Sequence, residues 1–140
     1  MHTNIGNKAI MNNPTTDTIY QDCPIRNVLA HICSKWSMLV IYLMHRSESD
    51  DKGEGEAKSI RFNVLHRAMP DISQKVLTST LRSLEADGFV TRKVYAEVPP
   101  RVEYSLTDRA RSFIPLVESM TAWAQDNMAG ILKDRNKAER

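Results

Sequence analysis

A chain of 140 residues can bury one hydrophobic core of modest size, which favours a single domain. The hydrophobic fraction of 41% and charged fraction of 26% are ordinary for a soluble globular protein, and 6% aromatic residues argue against a surface that stacks single-stranded bases. The longest apolar run, residues 38–44, is too short to span a bilayer, and the polar N-terminus has no apolar signal core. We therefore expect a cytoplasmic protein without membrane contact.

The formal net charge of +2 conceals an asymmetry between one segment and the rest. Residues 47–58, SESDDKGEGEAK, contain five acids and two lysines, so this segment carries −3 and the remainder +5. Two glycines and the lack of periodicity predict an acidic, solvated loop insertion. The basic remainder weakly favours a polyanionic partner, although net charge alone is explained more simply by a scattered solubilising surface.

The cysteines and histidines form no metal-binding pattern. Cys23 and Cys33 are the two cysteines, and the four histidines lack ligand spacing, so we expect neither a metal nor a cofactor. On one helix, ten residues separate α-carbons by about 15 Å, far beyond the reach of a disulfide within the chain. No nucleophile lies in a recognisable elbow and no phosphate-cradling motif is present, which argues against an enzyme.

The N-terminal third of the chain is predicted to hold an arm and two helices. The polar residues 1–18 predict a flexible arm. Pro24 suits the first position of a helix, where its missing N–H costs nothing, and apolar residues recur at helical spacing as far as Ile32. KWSMLVIYLMHR, residues 35–46, is apolar on nearly every side and predicts a buried central helix.

Two helices separated by a tight turn are predicted after the acidic loop. Residues 59–61 are expected to be extended, and FNVLHRAM, residues 62–69, to form a short helix that Pro70 ends. The next helix, residues 73–86, begins with a serine cap and ends before Gly88, which suits a left-handed C-terminal stop.

Helix 73–86 combines an apolar face with an unusual polar face. Its apolar side chains fall on one side and are predicted to be buried: Val76, Leu77, Leu81 and Leu84. The opposite side has no acid in its first three turns. It carries two cations, two hydroxyls and an amide: Gln74, Lys75, Thr78, Ser79 and Arg82.

A hairpin is predicted directly after this helix, over residues 90–106. FVTRKVY and RVEYSL are extended runs joined by AEVPP, and the second alternates apolar and polar residues with the period of a half-buried strand. The two prolines stiffen the tip, beside which Arg101 is held within reach of a DNA backbone or minor groove. The hairpin is basic through Arg92, Lys93 and Arg101.

The last predicted helix covers residues 108–132 and precedes a tail, residues 133–140. Thr107 caps its start, and Pro115 predicts a kink. An apolar stripe along this helix is too long to bury wholly on so small a core, and an exposed stripe of that size predicts a homodimer interface. Its members are Phe113, Leu116, Val117, Met120, Trp123 and Ala124.

The order of these elements predicts a winged helix-turn-helix over residues 19–132, a mainly α fold with a small β wing. Lysine and arginine can contact phosphates or guanine edges, glutamine can read adenine, and small hydroxyls can approach base edges. The simpler alternative is that the polar face is merely solvated. The helix-turn-helix order combined with the basic hairpin disfavours this alternative. The predicted DNA-binding residues are Ser73, Gln74, Lys75, Thr78, Ser79, Arg82, Arg92, Lys93 and Arg101.

The sequence also resembles the HxlR-type helix-turn-helix regulators, winged-helix relatives of the MarR group. Three stretches carry the resemblance: DCPIRNVLAHICSKW, RFNVLHRAMPDISQKVLTSTLRSLEADGFVTRKVY and EVPPRVEYSLTDRARSFIPLVESMTAW. The resemblance implies a dimeric bacterial transcription regulator, often a repressor, with residues 73–86 in the major groove of double-stranded DNA and 90–106 as the wing. It also implies that the N- and C-terminal helices pair two subunits, and two-fold symmetry then predicts an inverted-repeat operator.

The chain departs from the family pattern in two places. The acidic loop 47–58 is longer than the usual connection, and Cys33 and Ser34 stand where the family usually carries glycine. For Cys33, a small buried hydrophobe is the favoured interpretation.

Cys23 matches a position through which some family members sense electrophiles or oxidants. A thiolate at a helix N-terminus is stabilised by the helix's positive end, and Arg26 adds to this effect whereas Asp22 opposes it. Sensing of an oxidant or small-molecule effector and a capping or packing role both remain open.

Two further functions also remain open on the sequence. A winged helix that contacts only proteins would show no salt-dependent affinity for DNA. A small thiol enzyme using Cys23 would show turnover that survives the loss of Lys75 and Arg82.

Overall fold

The computed structural model describes residues 23–50 and 58–139, which contain helices α1–α5 and strands β1–β3. Helix α1 has a π-helical segment, Ile25–Leu29, followed by an α-helical segment, Ala30–Ile32. The other helices are α2 Lys35–Asp50, α3 Phe62–Arg67, α4 Gln74–Ala86 and α5 Asp108–Ala138, and the strands are β1 Ile60–Arg61, β2 Val90–Tyr95 and β3 Arg101–Leu106. The chain divides into two compact units, Met1–Met38 and Leu39–Arg140.

In the first unit, the described residues 23–38 begin with the predicted helix. Helix α1 follows Pro24, and the Asn27 N–H donates to the Cys23 carbonyl over 2.9 Å. The two thiols, of Cys23 and Cys33, are free and half-buried. The predicted arm, residues 1–18, lies outside the described residues.

The helix-turn-helix lies in the second unit. The ring Nε2 of His66 donates to the Ile72 carbonyl over 3.0 Å and closes the turn between α3 and α4. The Ser73 Oγ accepts from the Val76 N–H over 3.1 Å, so the predicted serine cap starts α4. Three of the four apolar side chains predicted to be buried on α4 are buried. The exception, Val76, is 39% exposed because it lies about 100° around the helix from Leu77, at the edge of the apolar face.

The sheet is antiparallel and has the strand order β1–β3–β2. Val90 pairs with Leu106 at one end of the hairpin, and Tyr95 pairs with Arg101 at its tip. The residues predicted to be extended before α3 pair with the hairpin as well, with Ile60 opposite Tyr104. The wing is therefore a three-stranded sheet, joined to the start of the helix-turn-helix through β1.

The core of the second unit is assembled from α2, the helix-turn-helix, the sheet and the N-terminal half of α5. The central apolar helix predicted from the sequence contributes three residues to it. The buried apolar side chains of this unit are Val40, Ile41, Met44, Leu65, Met69, Ile72, Leu77, Leu81, Leu84, Phe89, Val90, Tyr104, Leu106, Ala110, Phe113, Ile114 and Val117. Burial on this scale fixes α4 against the body of the unit and leaves its polar face outward.

Two predicted boundaries differ from those observed. Helix α2 continues to Asp50, so residues 47–50 of the predicted acidic loop are helical, whereas 51–57 lie outside the described residues. The Arg111 guanidinium holds the Glu48 carboxylate at 2.9 Å, and the Lys58 ammonium donates to the Glu48 carbonyl. These contacts anchor the end of α2 and explain its extra turn.

Helix α5 continues through Pro115 to Ala138, so residues 133–138 of the predicted tail are helical. The segment KDRNKA has no glycine or proline to end the helix, and most of its residues are good helix formers. Arg135 and Lys137 lie in the last turn, where positive charge is favourable beside the helix C-terminus.

Gly88 lies in the joint between the end of α4 and the start of α5. Its φ of +80° is left-handed, as predicted. The Arg109 Nη1 donates to the Asp87 carbonyl over 2.9 Å, and the Thr107 Oγ1 donates to the Gly88 carbonyl over 2.6 Å while accepting from the Ala110 N–H. The residues that begin α5 therefore also bind the carbonyls that end α4.

We expect Gly88→Ala to lower the free energy of unfolding by about 1–2 kcal/mol, the usual cost of a left-handed conformation for an L residue. The added Cβ would lie 2.5 Å from the Arg109 Nη1 and displace that guanidinium from Asp87. Denaturant unfolding at fixed protein concentration measures the change. Gly130→Ala, in α5 with open space around the new Cβ, is the control and should stabilise slightly. Equal stability of Gly88→Ala and wild type would contradict the expectation.

No single helix among the described residues is long and apolar enough to cross a membrane. Among those helices, only the bent pair Ile25–Ile32 and Lys35–Glu48, taken together, has the length and the apolar composition of a membrane span. Over residues 23–50 and 58–139, no group of three or more His, Cys, Asp or Glu side chains is placed to hold a metal ion.

Candidate nucleic-acid interface

Helix α4 presents its predicted polar residues as one surface. Thr78 is partly exposed and the other four are exposed. The five together line a shallow depression: Gln74, Lys75, Thr78, Ser79 and Arg82. Among the described residues, neither Lys75 nor Arg82 forms an ion pair. Both positive charges are therefore available to an anionic partner.

The hydroxyl groups on α4 are partly engaged by the helix itself. The Thr78 Oγ1 donates to the Gln74 carbonyl over 2.8 Å, which leaves the oxygen lone pairs to accept from a base edge. The Ser73 Oγ accepts from the backbone as the helix cap. Ser73 therefore fixes the start of the helix that carries the other groups.

The cations of the wing do not share one face. Successive strand residues point to opposite sides of a sheet, and Arg92 lies opposite Tyr104 whereas Lys93 lies opposite Glu103. The Lys93 ammonium is 4.9 Å from the centre of the Tyr95 ring. The basic hairpin predicted from the sequence is thus divided into an Arg92 side and a Lys93 side.

Arg101 is engaged by neighbouring side chains within the wing. Its Nη2 lies 3.3 Å from Glu97 Oε1, and its guanidinium carbon lies 4.0 Å from the centre of the Tyr95 ring. Its Nε lies 2.9 Å from Glu103 Oε2, but the N–H is not directed at an acceptor, so this contact is an ion pair without a hydrogen bond. The contact with DNA predicted for Arg101 would therefore compete with these partners.

A groove of about 470 Å³ lies between α4, the start of α3 and the wing. Its lining includes predicted site residues from both elements, namely Gln74, Thr78, Arg92 and Arg101. It also includes Arg61 and Asn63, which the sequence did not single out. Their placement depends on the pairing of β1 with β3, which joins residues about forty positions apart and has no local signature.

The apolar stripe of α5 divides between the core and the surface. Phe113 and Val117 are buried in the chain's own core, and the Phe113 ring packs edge-on against Phe89 with centroids 6.0 Å apart. Both were predicted to pair subunits, but the helical period turns them inward. The other four predicted residues are exposed, and further apolar side chains continue this surface toward the C-terminus. We call the exposed set the α5 apolar face: Leu116, Met120, Trp123, Ala124, Met128, Ile131 and Leu132.

The profile of the family described as HxlR-like helix-turn-helix matches residues 31–131. The chain belongs to the HxlR-like helix-turn-helix family. An HTH-type transcriptional regulator of Halalkalibacterium halodurans is 43% identical over 107 residues, which cover 76% of this chain and 86% of that protein. HxlR-like proteins of this kind are transcriptional regulators and not enzymes, which sets aside the thiol-enzyme alternative.

Solved structures place the HxlR-like chain among winged-helix regulators. The redox regulator HypR matches in its oxidised form with a TM-score of 0.61 and 41% identity, covering 75% of this chain and 97% of that one. Its reduced form matches with a TM-score of 0.65 and 38% identity, covering 79% and 98%. A MarR-family regulator of Porphyromonas gingivalis W83 matches with a TM-score of 0.62 and 33% identity, covering 76% and 94%. The predicted fold class and the predicted resemblance to the HxlR and MarR groups are confirmed.

Proposed function

We propose that this HxlR-like regulator binds a specific sequence of double-stranded DNA through the polar face of α4 inserted in the major groove. The observation that carries the proposal is an exposed helix face with no acid in its first three turns, fixed outward by the burial of Leu77, Leu81 and Leu84. Its two cations, Lys75 and Arg82, form no ion pair with any described residue. The wing lies beside this face and would contact the backbone or the minor groove. The protein would act in the bacterial cytoplasm, where the genome lies. It would act as a repressor by occupying its operator.

The regulator would bind as a homodimer. The α5 apolar face exposes Leu116, Met120 and Trp123, and the Trp123 side chain is 62% exposed. In the first unit, Ile25 and Val28 on α1 are exposed as well. Two-fold pairing would bring two α4 helices to successive major-groove faces about 34–36 Å apart, over an inverted-repeat operator.

Binding to the DNA upstream of the protein's own gene tests the proposal. Fluorescence anisotropy with that duplex should give an affinity that falls steeply as salt rises, because phosphate contacts release counterions. A random duplex of equal length should bind roughly a thousandfold or more weakly. Binding that is insensitive to salt, or absent from a library of genomic fragments, would favour the winged helix that contacts only proteins.

We further propose that Cys23 makes DNA binding responsive to oxidants. HypR, whose structure is similar, is a redox regulator. Cys23 is a free, half-buried thiol at the start of α1. An intermolecular disulfide or a small-thiol cap would alter how two subunits pack and hence the spacing of their α4 helices.

We expect Cys23→Ser to bind DNA as wild type does when reduced, but to lose the wild-type response to diamide or a quinone. Cys33→Ser is the matched control and should keep the response, because Cys33 lies at the other end of α1. Gel shifts before and after verified oxidation measure both variants. Unchanged DNA binding by wild type after Cys23 oxidation would leave Cys23 as a capping or packing residue.

A further inference from the structure

The polar face of α4 carries two hydroxyl groups that differ in what they can offer a partner. The Thr78 Oγ1 donates its proton to the Gln74 carbonyl over 2.8 Å. Within residues 23–50 and 58–139, the Ser79 hydroxyl makes no hydrogen bond. A hydroxyl has one proton and two lone pairs, so Thr78 can only accept a further hydrogen bond, whereas Ser79 can donate or accept one.

The bond to the carbonyl also restricts the Thr78 side chain. A threonine in a helix divides between two rotamers, and a bond from Oγ1 to the carbonyl four residues earlier selects between them. Thr78 is partly exposed and lines both the depression on α4 and the groove beside the wing. Turning the hydroxyl proton toward a partner would break the bond to the helix. The Thr78 oxygen therefore meets a partner as an acceptor.

Thr78 lies between the two cations of the same helix face. Along the helix axis it is about 4.5 Å from Lys75 and about 6 Å from Arg82, because each residue rises about 1.5 Å. Successive nucleotides of a DNA strand rise by about 3.4 Å, so a base that contacts Thr78 lies within about two base pairs of any group that the cations contact. Thr78 is thus placed inside a half-site and not at its edge.

Only the amino bases present a hydrogen-bond donor in the major groove. Adenine offers its N6 amino group and cytosine its N4 amino group, whereas guanine O6 and thymine O4 are acceptors. An oxygen that can only accept gains a hydrogen bond from an amino group, but it faces a keto oxygen with no proton between the two. Thr78 can therefore distinguish adenine and cytosine from guanine and thymine, but not adenine from cytosine.

We infer that Thr78 is a specificity-determining residue that requires an amino base, adenine or cytosine, at one position of each half-site. The inference rests on the proposed function, because it applies when α4 lies in the major groove. It follows from the hydrogen bond to the Gln74 carbonyl and not from the presence of a hydroxyl, since the Ser79 hydroxyl carries no such restriction.

Thr80 provides a matched control on the same helix. Its Oγ1 donates to the Val76 carbonyl, also over 2.8 Å. It lies about 200° around the helix from Thr78 and is not among the residues that line the depression or the groove. Thr80→Val and Thr78→Val therefore remove the same hydrogen bond within the helix, but only Thr78→Val removes an acceptor from the polar face.

Selection of bound sequences from a randomised duplex library tests the inference. Wild type should enrich adenine or cytosine over guanine or thymine at one position of each half-site. Thr78→Val should lose this preference and keep the preferences at the other positions. Thr80→Val should keep them all.

A base analogue tests the hydrogen bond itself. Unsubstituted purine in place of adenine at this position lacks the N6 amino group. It should weaken the binding of wild type roughly threefold to tenfold, as expected for one net hydrogen bond. The same replacement should leave the affinity of Thr78→Val unchanged.

Three outcomes would overturn the inference. The first is a selection by folded Thr78→Val that is unchanged, or that weakens equally at every position. The second is enrichment of guanine or thymine at the position that Thr78→Val affects, which would show that the hydroxyl turns to donate. The third is equal weakening of wild type and Thr78→Val by the purine analogue, which would assign the amino group to another side chain. Failure of the proposed function is distinguishable from these, because wild type itself would then select no sequence.

Discussion

Replacing both Lys75 and Arg82 by alanine is expected to weaken binding to the cognate duplex by about 2–6 kcal/mol, since a side chain that reads a base contributes about 1–3 kcal/mol. The two α-carbons are seven residues apart on one helix, about 10.5 Å, so their effects should add. Both side chains are exposed and form no ion pair with the described residues. The stability of the folded protein should therefore change by less than about 0.5 kcal/mol.

Anisotropy with a selected operator and with random DNA separates the roles of the two side chains. A base reader loses affinity for the operator only, whereas a phosphate contact weakens both duplexes and lowers the salt slope. Lys133→Ala combined with Lys137→Ala removes the same charge from α5 and is the control. If the Lys75/Arg82 double variant binds the operator as wild type does, α4 is not the reading helix.

Trp123→Glu is expected to turn the proposed homodimer into a monomer at micromolar concentration. The indole is 62% exposed in the single chain, so its replacement leaves the core intact, but it would place an unpaired charge inside the interface. Such a charge costs about 3–5 kcal/mol when buried without a partner. The affinity for the full operator should also fall, because a monomer occupies only one half-site.

Sedimentation equilibrium measures this change, and anisotropy with half-site and full-site duplexes measures its consequence. Val64→Glu provides the matched control, since Val64 is an exposed apolar residue on α3 and not part of the α5 apolar face. That variant should remain dimeric. Wild-type protein that sediments only as a monomer at micromolar concentration would contradict the interface on the α5 apolar face.

The elements with local signals were predictable nearly to the residue. Ser73 caps α4, Gly88 adopts its left-handed conformation after it, and the strands begin and end at the predicted residues 90 and 106. Caps, positive-φ glycines and period-two alternation act within a few residues of chain, so the sequence records them directly. The opposite faces of Arg92 and Lys93 follow from that same alternation and were available from the sequence.

The features that the sequence did not reveal depend on contacts between distant residues. The pairing of β1 with β3 brings Arg61 and Asn63 to the groove, and the contact between Arg111 and Glu48 anchors the end of α2. The ion pairs of Arg101 with Glu97 and Glu103 were not foreseen, because the geometry of the hairpin tip decides which side chains meet. These contacts follow from the assembled fold and not from a local pattern.

The contacts around Gly88 couple the orientation of α4 to that of α5. Thr107 and Arg109 bind the carbonyls that end α4, so the orientation of α4 is tied to the first turn of α5. Helix α5 has 31 residues and is about 46 Å long. A tilt of about 5° displaces one end of such a helix by about 4 Å relative to the other, roughly a third of the width of a major groove. In the proposed homodimer, small adjustments where two copies meet along α5 would thus be magnified at the DNA, and an effector could release an operator without contacting α4.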